Sequence, residues 1–196
     1  MSFIKKIMNY LFQNKQQEKY NAFVTEYANR PIPDKTIASI ESDLTEIDYE
    51  KVSDIKVTFR TGVSRVKHAT ILVVSFIGNY NIGAMGNDDA EYMFAKLEFG
   101  MFMSGASAII IDFRQLNYVW GDMIEAVSCP AINRRIPVAC VLGDGCREAY
   151  GTLIHGVDSK EPATTEEEIF DDFYKAWQYI EEQLDIALVR KSDPRH

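Results

Sequence analysis

Apolar residues along this chain gather into short unbroken runs separated by longer amphipathic stretches. Ala69–Ile77 (ATILVVSFI), Ala108–Ile111 (AIII) and Ile136–Leu142 (IPVACVL) are continuous apolar segments of strand length. Runs without alternation suit parallel strands covered on both faces. The Ala108–Ile111 run ends at an acid, Asp112, which the pattern places where the strand's carboxyl edge emerges. Ligands and partners of open α/β sheets gather at that edge. Asp54–Phe59 (DIKVTF) alternates instead, and predicts a strand antiparallel to its neighbour, followed by a turn over Gly62–Lys67.

Between these runs the spacing is helical. Residues 2–28 carry Phe3, Ile7, Tyr10, Leu11, Tyr20, Phe23, Val24 and Tyr27 as a broken stripe. That stripe suits docking on the main domain, with a partner or a membrane surface as the alternatives. Pro31 and Pro33 end it and make residues 29–35 a linker. A helix capped by Asn87 or Asp88 extends to Met103, and Ser104-Gly105 breaks it. Residues 122–129 (DMIEAVSC) read as a short helix stopped by Pro130, and Cys146–Ile154 as another stopped by Gly156. Thr164 or Thr165 with Glu168 makes a capping box for a last helix to Val189. The expectation is one α/β domain over 36–190, a single mostly parallel, mixed sheet of four to five strands with helices packed on it. An N-terminal helix with its linker occupies 1–35, and a flexible tail 191–196.

Composition narrows the class. With 196 residues and 46% apolar content the chain builds one full core. A net charge of −8 repels phosphate backbones, so nucleic acid is not the expected partner; the acidity suits a basic protein partner, or is simply the ordinary surface charge of a soluble protein. Cys129, Cys140 and Cys146 are odd in number and lack CxxC spacing, so neither a disulfide framework nor a zinc site is expected, and a reducing cytoplasm fits. The start lacks the sustained apolar core of a signal peptide, and no segment has the length of a membrane span.

Four features carry candidate chemistry. The loop GNYNIGAMGN (residues 78–87) is glycine-rich before a helix, but it lacks Gly-x-Gly-x-x-Gly spacing and puts Asp88 and Asp89 at the helix start, against phosphate. Gly143-Asp144-Gly145 sets Cys146 at a helix N-terminus, which favours a thiolate. His155 stands nine residues on and out of reach, so His68 is the base whose position the fold must decide. Asp112, Arg114, Tyr118, Trp120 and Asp122 converge on the strand exit as a candidate partner surface. Glu166, Glu167, Glu168, Asp171 and Asp172 read as a solvated helix face or as a patch for a basic partner. Neither a cofactor nor a metal is expected.

The segment IIIDFRQLNYVWGDMI resembles the strand, loop and helix of the STAS domain family through Asp112, Leu116, Tyr118 and Val119. The likeness runs from about residue 55 to 185. Where that family keeps a phosphorylation loop this chain has Trp120, Gly121, Asp122 and Met123, so the acceptor serine is absent. The segment IPVACVLGDGCREAYGTLIHGVD is similar to the Clp-protease/crotonase superfamily in Pro137, Val138, Gly143, Gly156 and Asp158. There the nucleophile falls at Arg147, beside Cys146, and the oxyanion glycines are only partly supplied, by Gly121 and Gly145. Both resemblances imply a scaffold without its family's reactive group. The expectation is a non-catalytic protein-protein interaction module, either a STAS-like regulator or an immunity protein that neutralises a toxin by binding it. The alternative is a crotonase-like or thiol-dependent hydrolase using Cys146 with His155 or His68.

Overall fold

The computed structural model describes Glu18, Asn21, residues 41–65, 68–121 and 123–192, with side chains as far as residue 187. The chain divides into two compact units, Met1–Lys51 and Val52–His196. In the first, Glu18 and Asn21 are helical and a 3-10 turn spans Tyr49–Lys51, where Asp48 accepts from the Glu50 N–H at 3.1 Å and pairs with Lys51 at 3.1 Å. The rest of the expected helix over 2–28, and the linker at 29–35, lie outside the described residues.

The second unit is a five-stranded mixed sheet whose order follows the chain: β1 (Lys56–Val63), β2 (Thr70–Asn79), β3 (Ala108–Asn117), β4 (Val138–Leu142) and β5 (Ile169–Phe170). β1 is antiparallel to β2, and every later pairing is parallel. Helix α1 (Gly86–Ser104) links β2 to β3 and α2 (Cys129–Asn133) links β3 to β4. Helix α3 (Arg147–His155) links β4 to β5, and α4 (Phe173–Ser192) closes the chain. Parallel strands added in one direction by crossovers of one hand put the connecting helices on one face. Accordingly α1 presses Gly100 on Phe59 and Leu72, and α3 brings Tyr150 to 6.1 Å from the Phe113 ring, all on the same face. The opposite face, with Ile71, Val73, Ala108, Ile110, Ala139 and Val141, is covered by Ala176, Ile180 and Leu184 of α4.

Five expectations are corrected. The strand after Ser107 does not stop at Asp112 but runs five residues further, because parallel pairing with β2 continues to Asn79↔Asn117. The turn expected from Gly62 begins later, since Gly62 and Val63 still pair with Ile71 and Thr70; glycine suits this strand position because the Trp177 ring stands 2.6 Å from where a Cβ would be. Pro130 opens α2 rather than ending a helix: a 3-10 turn occupies Ile124–Ser128, and proline fits the first helical turn, where its missing N–H has no partner to lose. The last helix begins at Phe173, not at Thr164. Ile169 and Phe170 are taken by β4 as an edge strand, and Asp172 supplies the cap, accepting from the Lys175 N–H at 2.9 Å. The acidic run 166–172 is therefore a strand and its flanks, not a helix face. Similarly, α1 starts at Gly86, without a side-chain cap from Asn87 or Asp88.

Candidate functional site

Two constellations flank the carboxyl ends of β2, β3 and β4. The first lies on the face shared with α4. Ser75 and Asp112 are register partners on β2 and β3, and both are buried. Asp112 accepts from the Arg114 Nε and Nη2, both at 2.8 Å, from the Arg114 N–H at 3.1 Å and from the Ser75 hydroxyl at 3.0 Å. Arg60 reaches across from β1, donating to the Ser75 Oγ at 3.2 Å and standing 3.6 Å from an Asp112 oxygen. Burial would raise the Asp112 pKa, but the Arg114 guanidinium, its backbone N–H and the Ser75 hydroxyl outweigh it and hold the carboxyl below its usual range. Arg114 is held protonated by the same bond, and its guanidinium lies 4.9 Å from the centre of the Phe173 ring at the start of α4. The outcome is a fixed buried anion with two half-exposed cations above it.

The second constellation lies at the sheet end. The chain after β3 crosses the loop after β2: Tyr80 N–H donates to Asn117 O at 2.9 Å, and Gly83 N–H to Trp120 O at 3.0 Å. Gly83 holds φ +63° with the Trp120 ring 3.1 Å from where a Cβ would be, so only glycine suits both its backbone and that contact. Tyr118 turns inward, donates to Gly121 O at 2.6 Å and meets Tyr80 edge-on at 5.3 Å. Trp120 is left 55% exposed, and Ile82, Met85 and Val119 on the same two loops are exposed as well.

The expected partner residues therefore separate. Arg114 and Trp120 are at the surface, whereas Asp112 and Tyr118 are buried and cannot touch a partner directly; their hydrogen bonds fix Arg114 and the Trp120 loop instead. Asp122 lies outside the described residues. Sequence reasoning missed Arg60, Ser75, Ile82 and Met85. Arg60 joins the site only through the β1–β2 register, and Ile82 and Met85 only through the crossing of two loops distant in sequence.

The candidate nucleophile has no base beside it. Cys146 precedes α3, but its Sγ is buried and lies 3.5 Å from the carbonyl oxygens of Phe113 and Gly143. Burial pushes the thiol up to about 11, correcting the expectation that the helix start lowers it. Cys129 and Cys140, also buried, are pushed to about 11 and about 12. His155 closes the far end of α3, where Nε2 meets Pro162 O at 3.3 Å and Thr165 Oγ1 at 3.2 Å. His68 sits on the β1–β2 turn with φ +56°, at the amino edge of the parallel strands, whereas Cys146 follows the carboxyl end of β4. A five-residue strand separates those edges by about 16 Å.

The glycine-rich loop serves an internal acid. Asp89, buried in the first turn of α1, accepts from the Asn81 N–H at 2.7 Å, the Asn81 Nδ2 at 3.0 Å and the Ser53 hydroxyl at 2.5 Å. A carboxylate thus stands where a bound phosphate would need free amides. Among the described residues no group of three His, Cys, Asp or Glu is placed to hold a metal, and no helix is long and apolar enough to cross a membrane.

No family model and no curated protein matches the chain. Among solved structures it is similar to the anti-sigma factor antagonist SpoIIAA in its unphosphorylated form, at 15% identity and a TM-score of 0.30, over 68% of this chain and 98% of that one. It is also similar to an uncharacterised Shewanella loihica protein with a SpoIIAA-like fold, at 17% identity and a TM-score of 0.33, over 65% and 98%.

Proposed function

We propose that this chain is a non-catalytic protein-binding module, a regulator or toxin-neutralising protein that acts by occupying its partner. The observation that carries this reading is the rigid exposed aromatic at the sheet's carboxyl end. Trp120 is anchored through its carbonyl to Gly83 and through its ring to the same residue, yet presents more than half its surface to solvent beside Ile82, Met85 and Val119. A pre-ordered tryptophan on loops that expose further apolar side chains is the kind of anchor that dominates protein interfaces, because little side-chain freedom is lost on binding. The buried Cys146 thiol, its high pKa and the distance of both histidines weigh against the thiol-hydrolase reading.

The test is affinity capture from the native host with wild-type protein and with Trp120→Ala, Met85→Asp and Cys146→Ala variants, followed by titration calorimetry on the captured protein. The reading expects one specific protein, lost at least tenfold with Trp120→Ala and Met85→Asp and retained with Cys146→Ala. Cys146-dependent turnover of acyl-CoA or peptide substrates would overturn it.

A further inference from the structure

We infer that β1 is a self-association strand, pairing antiparallel with β1 of a second copy about a two-fold axis at Thr61. The inference begins with where the backbone groups of β1 point. Ser64 N–H donates to Ala69 O at 2.8 Å, in register with the whole β1–β2 ladder. Antiparallel pairs alternate between bonded and non-bonded positions. Gly62, Arg60 and Thr58 therefore bond to β2, while the N–H and C=O groups of Val57, Phe59, Thr61 and Val63 face away from it. No other described strand pairs with β1.

An open edge of this length is a template for another strand, and edges are usually blunted by proline, by charge on every turn or by a bulge. The outward-facing positions here hold none of these; they are β-branched or aromatic. Their side chains share the α1 face, where Phe99 meets Phe59 edge-on at 6.0 Å and where Phe102, 86% exposed, and Met103 end the helix. Backbone edge and apolar flank thus lie side by side.

The sequence of the strand selects a copy of itself as the occupant. A two-fold axis at Thr61 sets Thr61 against Thr61, Phe59 against Val63 and Arg60 against Gly62. Aromatic against β-branched and threonine against threonine are favourable cross-strand pairs. An axis at Arg60 would set two guanidinium groups face to face. An axis at Phe59 would set Val63, which is exposed, against Ile55, which is already buried. An axis at Gly62 would pair only residues 61 to 63 of the strand, so the Thr61 axis pairs the longest run of exposed strand residues without setting guanidinium groups directly opposite one another. The pairing is isologous and closes as a dimer with one continuous ten-stranded sheet.

The experiment measures solution mass by light scattering on the full chain at about 100 μM, with thermal unfolding followed in parallel. Twice the 22.4 kDa chain mass is expected for the wild type. Val63→Lys, at a position exposed in the single copy, and Thr61→Pro, which removes an outward N–H and spares the β2 ladder, are each expected to give the single-chain mass. Thr61→Cys is expected to cross-link to itself under mild oxidation, since bonded antiparallel pairs hold Cα atoms about 5.5 Å apart, within disulfide range. A wild type of single-chain mass at that concentration would overturn the inference. So would a dimer that survives Val63→Lys, or one that cross-links through Phe59→Cys and not through Thr61→Cys.

Discussion

Arg114 folds back along its own strand onto Asp112, two residues earlier, and closes a bidentate pair of two 2.8 Å bonds over a carboxylate that is almost wholly buried. The β2–β3 register shifts at this point, from Ser75↔Asp112 to Ile77↔Gln115, and at this irregularity the Arg114 N–H also donates to Asp112, at 3.1 Å. Ser75 and Arg60 complete the hydrogen bonding from the two neighbouring strands.

Asp112→Asn tests that relationship. The variant leaves Ser75 and Arg114 imperfectly paired, and because the Arg114 side chain is 42% exposed it can turn to water, so the expected loss is about 1–3 kcal/mol rather than that of a fully buried pair. The folded carboxyl keeps its charge to lower pH than the unfolded chain does. Its contribution is thus complete above the unfolded value of about 4 and is lost as pH falls through the lower folded value. Urea unfolding should show a wild-type advantage at pH 7 that narrows at pH 3; an unchanged gap would refute the assignment.

Gly143 should tolerate no side chain. A Cβ there would overlap the carbonyl group and Cα of Arg114, and both are backbone atoms that cannot swing aside. Gly143→Ala is expected to cost about 1–3 kcal/mol through overpacking. Because the clash is with Arg114 backbone atoms, Arg114→Ala should not relieve it, and the Gly143→Ala cost should persist in the Arg114→Ala background, read by urea unfolding. A cost that vanishes in that background would place the clash on the Arg114 side chain.

The three thiols should be unreactive in the native protein. Burial lifts Cys129, Cys140 and Cys146 to about 11, 12 and 11, so at pH 8 iodoacetamide should modify each far more slowly than in the urea-unfolded chain. The same shifts carry a stability consequence. The unfolded chain releases these protons near pH 9 and the folded chain does not, so stability is full below about pH 9 and declines as pH rises toward 11. Rapid native labelling of Cys146, read by mass spectrometry, would contradict the burial described here.

Asp89→Ala removes the acceptor shared by Ser53 and Asn81. The expected cost is about 1–3 kcal/mol for the donors left without it. Hydrogen exchange should accelerate at the Asn81 amide and in the first turn of α1, while β3 and β4 stay protected. Uniform acceleration across the sheet would mean that the acid supports the whole core rather than one loop.

The sequence by itself determined the α/β class, the three parallel core strands and the antiparallel first strand. Those features are written in local signals: unbroken apolar runs such as Ala108–Ile111, the alternation of Asp54–Phe59 and the glycine that stops α1 at Ser104. Hydrophobic periodicity is decided within a few residues, so it survives without any knowledge of neighbours. Tertiary structure decided the rest. It carried β3 past Asp112 by extending its pairing with β2, and turned Ile169–Phe170 from helix into strand by offering them the open edge of β4. It also buried Cys146 against the carbonyls of Phe113 and Gly143, and brought Arg60 to Asp112. Each of these depends on a partner many residues away, and neither burial nor register can be read from a segment taken alone. The site was legible only in part for the same reason. Trp120 and Arg114 announce themselves by type and position, but whether a side chain faces solvent or core is fixed by the layer packed against it.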